Sequence, residues 1–248
     1  MRRYHTLRTV LLSDARRVVR DRFILNALLL FVGIALATRW ALPVMREAVL
    51  VRQGLDITPW IPLGVSYFVV VNASMFSGLM GGFLLLEGKE ERTVQAMLVT
   101  PASAGLPLWT LLSAVMVCSA GLCFLLSAIV GQVPPSVPAI IASAVVGAPT
   151  AAIIALIIAT FASNKIEAFA VMKSTQIMGL APVAAWFVPE PLQFLAGIFP
   201  MYWPSKIWWL SASGADNWLW LWFPAVASSS VWLVGLSHRY MKTAANAR

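Results

Sequence analysis

Residues 81–93, GGFLLLEGKEERT, run from an apolar stretch directly into a cluster of charged side chains. The first half is as apolar as a membrane-spanning helix. The second half holds too many charges to enter hydrocarbon at low cost: Glu87, Lys89, Glu90, Glu91 and Arg92. This stretch therefore predicts a helix that leaves a membrane and continues into water, so the fold depends on how many other segments can cross.

The same stretch looks like a phosphate-binding P-loop, but its spacing is wrong for one. A P-loop has Gly, four residues and then Gly-Lys-Ser/Thr, and the final hydroxyl binds Mg²⁺. Here five residues separate Gly82 from Gly88, and Glu90 stands in place of the hydroxyl. A carboxylate at that position would repel phosphate oxygens. The stretch therefore does not predict an ATP site in this chain.

The composition indicates an all-α, polytopic membrane protein. Of the 248 residues, 60% are hydrophobic and 11% are charged, and the mean hydropathy is +0.81. A soluble domain carries about 25% charged residues. The net charge of +8 does not predict a nucleic-acid partner, because Lys and Arg residues also set membrane topology.

Six apolar windows are each long enough to cross a bilayer, which needs about 20 residues. The window near 169–188 is the least regular, because Lys173 and Gln176 lie in its first turns and Pro182 interrupts it. The sequence thus predicts a cytoplasmic segment, 1–22, followed by a single transmembrane domain, 23–248. The predicted spans are 23–43, 61–86, 106–130, 137–162, 169–188 and 218–236.

The distribution of positive charge predicts the orientation of these spans. With six spans, fourteen of the 18 Lys and Arg residues fall on the side that holds both termini. Cytoplasmic loops carry the excess of Lys and Arg, so both termini are predicted to be cytoplasmic.

The segment before the first span has apolar residues at helical spacing, at Leu7, Leu11, Ala15 and Val18. This pattern predicts a basic amphipathic helix on the inner leaflet. A frayed basic tail is the alternative. A cleaved signal peptide ending near Ala37 is a second alternative, although the charged part is long for one.

No predicted span centre carries Asp, Glu, Lys or Arg, and the His and Cys residues form no metal-binding pattern. The sequence therefore predicts no catalytic, cofactor-binding or metal-binding residue. Uncharged polar residues in the second and fifth spans either form hydrogen bonds between helices or line a substrate pathway. The candidate pathway residues are Tyr67, Asn72, Met75, Phe76 and Gln176. Gly78, Gly81 and Gly82 are predicted to allow close helix packing.

The charged residues after the second span continue at helical spacing through Val94, Met97 and Leu98, and Thr100-Pro101 ends the pattern. A short amphipathic helix outside the membrane fits this pattern. From the residues alone, it is either a solvated connector or a docking element for a cytoplasmic partner.

Four stretches in this order resemble the permease subunits of type-2 ABC exporters, and the resemblance covers nearly the whole chain. They are Arg20-Asp21-Arg22-Phe23, the charged loop from Gly82 to Ser103, the link from Ala159 to Lys173, and the outer segment from Val188 to Trp209. The last stretch resembles a pair of short half-helices before the final span. Its run from Tyr202 to Lys206 is similar to small bacterial permeases for drug export, including fluoroquinolone-type exporters.

The resemblance implies a non-catalytic transport subunit in the bacterial plasma (inner) membrane. A separate cytoplasmic ATPase would bind ATP and Mg²⁺, so this chain would hold no cofactor. Two ATPase copies, and a second copy of this chain or a homologous permease, would complete the exporter. The substrate would be an amphipathic or hydrophobic small molecule, drug-like or lipid-like. The resemblance gives a coupling role to Glu87, Lys89, Glu90, Glu91, Arg92 and Thr93, and a second contact to Lys165 and Glu167.

Two other classes of function remain open at this point. One is a membrane scaffold or immunity protein that sequesters a toxic peptide, and an ATPase encoded beside this chain would count against it. The other is an intramembrane enzyme that modifies lipids. Such an enzyme needs clustered acidic or His residues at one membrane face, and the acidic cluster from Glu87 to Glu91 contains no His.

Overall fold

The computed structural model describes residues 22–90, 105–131, 136–215 and 217–246, and these residues are almost entirely helical, with no β-strand among them. Short 3₁₀ segments lie at Thr58–Trp60, Leu192–Ile198 and Asn217–Leu221, and a π-helical turn lies at Tyr67–Val71. The α-helices are α1 (Arg22–Gln53), α2 (Ile61–Ser66), α3 (Asn72–Glu90), α4 (Gly105–Val130), α5 (Val137–Phe161), α6 (Lys165–Trp186), α7 (Tyr202–Ala212) and α8 (Trp222–Asn246). The all-α prediction is confirmed.

Five helical segments within the described ranges are long and apolar enough to cross a membrane, so the chain is a multi-pass membrane protein. They are Leu25–Gln53, Thr58–Lys89, Pro107–Val130, Val137–Phe161 and Asn217–Thr243. The fifth predicted span is present as α6, but α6 is not among the five. The polar run from Lys173 to Gln176 makes α6 less apolar than the others, so its crossing stays a prediction.

The predicted bounds of the third and fourth spans agree with α4 and α5 to within one residue. The first span was predicted to end at residue 43, but α1 continues to Gln53 with Pro43 inside it. The helix ends at Gly54, which has a φ of +66°, a left-handed conformation that glycine adopts freely after a helix. At 1.5 Å per residue, α1 is about 48 Å long and exceeds the hydrocarbon thickness.

Two predicted elements lie outside the described residues. The amphipathic helix predicted for 1–22 is described only from Arg22, the first residue of α1. The charged helix after the second span is described only as far as Glu90, the last residue of α3. Both elements stay predictions.

Helices α3 and α5 pack closely along their length and form the buried centre of the fold. A Cβ atom added at Gly78 would lie 2.6 Å from Ile154 Cβ and 2.8 Å from the Ala151 carbonyl oxygen. A Cβ at Gly82 would lie 2.8 Å from Ile158 Cβ. Gly78 and Gly82 are four residues apart on one face, the spacing that lets helix backbones approach closely in membranes. The predicted packing role of these glycines is confirmed.

The other helices pack around this central pair. α4 contacts α3 where a Cβ at Gly81 would lie 2.6 Å from Val115 Cγ2. α6 contacts α3 on another face, where a Cβ at Gly179 would lie 3.3 Å from Met75 Cε. α1 packs mainly on α4, and α8 packs mainly on α5. This arrangement leaves one side of α3 partly open between α1 and α6.

Aromatic side chains gather at one end of the helices, called here the aromatic end and defined by Trp186, Tyr202 and Trp209. The Trp186 and Trp209 rings meet edge to face at 4.9 Å. The Trp209 indole donates a hydrogen bond of 2.7 Å to Ser66 Oγ at the end of α2. α7 is therefore fixed to the helix that immediately precedes the π-helical turn.

Candidate coupling site and substrate cleft

The end of the fold opposite the aromatic end is defined by Glu87 and Lys165, and is called here the coupling end. Glu87 lies in the last turn of α3, and Lys165 is the first residue of α6. Lys165 Nζ lies 2.6 Å from Glu87 Oε1. The structure thus joins two predicted coupling residues that are 78 positions apart in the sequence.

This ion pair is too exposed to contribute much stability. The side chains of Lys165 and Glu87 are 52% and 32% exposed, and an exposed pair contributes about 1 kcal/mol or less. Its main consequence is geometric, since it connects the ends of two helices that reach far into the fold.

Glu167, also predicted to couple, caps the start of α6. Asn164 is the N-cap residue, and its Oδ1 accepts a hydrogen bond of 2.9 Å from the Glu167 N–H. Glu167 Oε2 in turn accepts a bond of 2.8 Å from the Ser163 N–H. This reciprocal arrangement resembles a capping box, and it holds the turn between α5 and α6 so that Lys165 faces Glu87.

Of the remaining predicted coupling residues, only Lys89 is described with its side chain, and it is half-buried in the last turn of α3. The side chain of Glu90 and the residues Glu91, Arg92 and Thr93 lie outside the described part of the chain. Their coupling role stays a prediction.

The predicted substrate residues separate into two groups. Asn72 and Phe76 are half-buried and lie one helical turn apart on the partly open side of α3. Met75 is 5% exposed and faces α6, where the Thr175 hydroxyl lies 3.9 Å from its sulfur. Met75 is therefore part of the core, while Gln176 is exposed on α6.

Aromatic rings that the sequence analysis did not single out complete the open side of α3. Phe76 meets Phe31 of α1 edge to face at 5.2 Å, and Phe83 meets Phe169 of α6 at 5.3 Å. The face formed by Asn72, Phe76 and Phe83 is called here the cleft face. Phe76 follows Asn72 by four residues and Phe83 follows Phe76 by seven, and this helical spacing could have identified Phe83 as the next member of the face.

The last predicted pathway residue, Tyr67, begins the π-helical turn. Its carbonyl oxygen accepts the backbone N–H of Asn72, five residues later, and also the Asn72 side-chain amide at 3.3 Å. A π turn interrupts the regular helix and is frequent at functional sites. Asn72 therefore marks the junction between this irregular turn and the regular helix α3.

A polar cluster lies at the aromatic end, where the buried Lys206, Gln193 and Tyr202 meet the exposed Glu190. The Lys206 ammonium donates hydrogen bonds to Glu190 Oε1 and Gln193 Oε1, and the Tyr202 hydroxyl donates to Gln193 Oε1 at 3.1 Å. Burial, and then the negative charge of Glu190, raise the pKa of the Tyr202 phenol. Tyr202 therefore stays protonated and remains a donor to Gln193.

Within the described ranges, no three His, Cys, Asp or Glu side chains come together as a metal site would require. As the structure describes them, the coupling end and the cleft face consist of apolar and aromatic contacts, a few hydrogen bonds and single ion pairs.

Comparison with known proteins identifies an export permease family. A family model described as "Fluoroquinolones export permease protein Rv2686c-like" matches residues 14–237. The chain is 26% identical over 216 residues to the fluoroquinolones export permease protein Rv2686c of Mycobacterium tuberculosis strain ATCC 25618 / H37Rv, with 84% of each chain covered. The same values hold for the fluoroquinolones export permease protein MT2760 of Mycobacterium tuberculosis strain CDC 1551 / Oshkosh. The resemblance to fluoroquinolone-type permeases is confirmed.

Proposed function

The chain belongs to the family of Rv2686c-like fluoroquinolone export permeases, and we propose from this premise that it is the membrane subunit of an ATP-driven ABC exporter. As an export permease it is a transport subunit. The proposal adds that a separate ATPase hydrolyses ATP with Mg²⁺ and moves the coupling end of this chain. Its cargo is an amphipathic or hydrophobic small molecule, taken from the cytoplasm or the inner leaflet.

The contact between Glu87 and Lys165 is the observation that supports this proposal most directly. α3 runs as an uninterrupted helix from Asn72, on the cleft face, to Glu87, at the coupling end. Glu87 follows Asn72 by fifteen positions, a rise of about 22 Å along the helix. A force applied beside Glu87 would therefore move α3 as a rigid body, and the ion pair would transmit part of that movement to α6.

The π-helical turn is positioned to act as a hinge for α3. α2 is held by Trp209 on one side of the turn, and α3 is held against α5 by the contacts at Gly78 and Gly82. Tyr67–Val71 therefore joins a part anchored to α7 to a part packed on α5, and it is the segment best able to absorb a change in helix direction when α3 and α5 move together. Movement of α3 would widen or close the cleft face.

The chemistry of the cleft face favours an amphipathic substrate. Phe76 and Phe83 offer aromatic surface, while Asn72 and the exposed Gln176 of α6 offer a few hydrogen-bonding groups. Next to this face, a groove of ≈ 250 Å³ between α1 and α2 is lined mainly by apolar residues, including Trp60 and Phe68. A sugar would need more hydrogen-bonding groups than these surfaces provide.

The proposed assembly contains two permeases and two ATPases. The chain comprises one set of spans, so a second copy or a homologous permease would close the open side of α3. Both termini and the coupling end would face the cytoplasm, in a bacterial plasma (inner) membrane. α6 would cross the membrane as the sixth span, with Lys165 at the ATPase side.

Association with an ATPase tests the proposal. The chain is co-expressed with candidate ABC-type ATPases from the same organism, purified, and placed in lipid nanodiscs. We expect the two proteins to purify together, and Glu91→Arg to weaken that association. Recovery of the chain without any ATPase, under conditions in which both proteins fold, would contradict the proposal and favour the scaffold alternative.

Exchanging the charges of Glu87 and Lys165 is expected to lower activity in each single variant and to restore it in the double variant. Glu87→Lys places two ammonium groups in contact, and Lys165→Glu places two carboxylates in contact. Each single change should lower substrate-stimulated ATP hydrolysis by roughly fivefold, which corresponds to about 1 kcal/mol for an exposed pair. The double variant restores the attraction and should recover most of the activity.

Glu47→Lys is the matched control for this exchange, because Glu47 is exposed on α1 in the part predicted to lie at the opposite end. We expect it to leave the hydrolysis rate unchanged. If the double variant is as inactive as either single one, the contact between Glu87 and Lys165 does not transmit movement.

A further inference from the structure

A groove with a volume of ≈ 520 Å³ lies between α5, α6 and α8, away from the cleft face. Its walls are mostly apolar and include Ile157 of α5, Val171 and Met178 of α6, and Trp232 and Leu236 of α8. This volume is in the range of sites that bind small molecules or lipid chains. Neither the coupling site nor the cleft face accounts for it.

The uncharged polar side chains along the groove are already paired within the protein. The Ser174 hydroxyl donates to the Ala170 carbonyl at 3.3 Å, and the Thr175 hydroxyl donates to the Met172 carbonyl at 2.7 Å. The Trp232 indole donates to the Ile198 carbonyl at 2.9 Å. The groove therefore presents an apolar surface over most of its length.

A single charged residue, Arg239, lines one end of the groove. Its guanidinium lies 4.7 Å from the centre of the Phe161 ring, so a cation–π contact holds it beside the groove. Phe161 is the last residue of α5, and the next helix begins at Lys165. Arg239 therefore lies toward the coupling end, which is predicted to face the cytoplasm.

No acidic side chain among the described residues forms an ion pair with Arg239. Lys242 is exposed on the same last turns of α8 and adds to the positive charge there. Anionic phospholipids are concentrated in the cytoplasmic leaflet, and basic pockets between transmembrane helices on that side bind their head groups. An apolar groove with a guanidinium at its end matches a lipid in shape and charge.

We propose that this groove binds one anionic phospholipid of the surrounding bilayer, with an acyl chain along α6 and α8 and the phosphate on Arg239. The guanidinium forms charge-assisted hydrogen bonds with the phosphate, which a neutral side chain cannot replace. The site goes beyond the proposed export function, and it could be present whether or not the chain couples to an ATPase.

Lipid titration of the full-length chain tests the site. The chain is purified in a neutral detergent and titrated with phosphatidylglycerol or phosphatidylcholine, and native mass spectrometry counts the bound lipids. We expect the wild-type chain to bind one phosphatidylglycerol more tightly than the others, and Arg239→Gln to raise its dissociation constant about tenfold. Arg239→Lys should lose less than Arg239→Gln, because the charge remains.

A second variant tests the groove independently of the charge. Ser174 is exposed on the groove wall, so Ser174→Trp fills the space without replacing a core residue, and it should also remove the tight site. Lys242→Gln is the matched control, since Lys242 is exposed on α8 and is not part of the groove lining. It should leave the tight site intact.

Three results would overturn the proposal. Equal losses in Arg239→Gln and Lys242→Gln would show general attraction to a basic surface. Tight binding that survives Ser174→Trp would show that the acyl chain lies elsewhere. Equal binding of both lipids by the wild-type chain would leave the groove to another occupant, such as residues 1–21 of the same chain.

Discussion

Gly78→Val is expected to destabilise the folded state strongly. The first atom added at this position already lies 2.6 Å from Ile154 Cβ and 2.8 Å from the Ala151 carbonyl oxygen. The oxygen belongs to the backbone of α5 and cannot rotate away, so α3 and α5 must separate. Overpacking of this kind costs about 3 kcal/mol, a large part of the stability of a typical domain.

The loss can be measured as the fraction of protein that elutes as a single folded species from detergent, together with its melting temperature. Gly88→Val is the matched control on the same helix, because a Cβ at Gly88 meets nothing within 4 Å. Its effect should stay below about 1 kcal/mol, the range of helix propensities. A Gly78→Val protein that melts with the wild type would show that α3 and α5 are not packed as described.

The second large effect is expected at the aromatic end, where the two partners of one ion pair differ in burial. The Lys206 side chain is 9% exposed, whereas the Glu190 side chain is 56% exposed. Glu190→Ala leaves a buried ammonium with Gln193 as its remaining hydrogen-bond acceptor, and breaking a buried pair costs about 3 kcal/mol. Lys206→Met removes the buried charge and leaves a carboxylate in contact with water, so it should cost about 1 kcal/mol.

The double variant, Glu190→Ala with Lys206→Met, distinguishes the cost of leaving a buried charge unpaired from the cost of losing the contact itself. Because it leaves no buried charge, it should melt at a higher temperature than Glu190→Ala alone. Thermal unfolding of all three variants in the same detergent gives the comparison. If the double variant is the least stable of the three, the ion pair acts as an ordinary pair of additive contacts, and Lys206 is less buried than described.

The sequence located the spans well where their ends carry clear signals. α4 and α5 are bounded by Pro, Gly or Ser residues, and both agree with the prediction. In α1, the signal that ends the helix is Gly54 and not Pro43. A proline inside a transmembrane helix is tolerated because neighbouring groups satisfy the freed carbonyl, so Pro43 is a poor boundary marker.

The faces of the second span were harder to assign from sequence. Met75 and Phe76 are adjacent, and one residue turns a helix by about 100°, so they face α6 and α1 respectively. The π-helical turn before Asn72 adds a residue to one turn and changes the register of every side chain ahead of it. A pattern counted at regular spacing cannot detect this change.

The contacts between distant segments could not be predicted from a single sequence. The resemblance assigned Glu87 and Lys165 to coupling, but their pairing depends on how α3 and α6 pack. Lys206 lies in the segment that the resemblance places outside the membrane, and nothing in its sequence neighbourhood indicated burial. Its partners Glu190 and Gln193 lie in a loop and a 3₁₀ segment, whose positions follow from the packing of Tyr202 and the surrounding rings.

ATP-dependent transport by the reconstituted complex tests the central claim most directly. The chain and the ATPase that purifies with it are placed together in liposomes, with the ATPase on the outside, and offered a fluoroquinolone and a set of amphipathic dyes. The account predicts that at least one compound accumulates inside only when ATP and Mg²⁺ are added, and that Glu87→Lys reduces this accumulation. A complex that binds its ATPase but accumulates none of these compounds with ATP would contradict the account and favour a membrane scaffold.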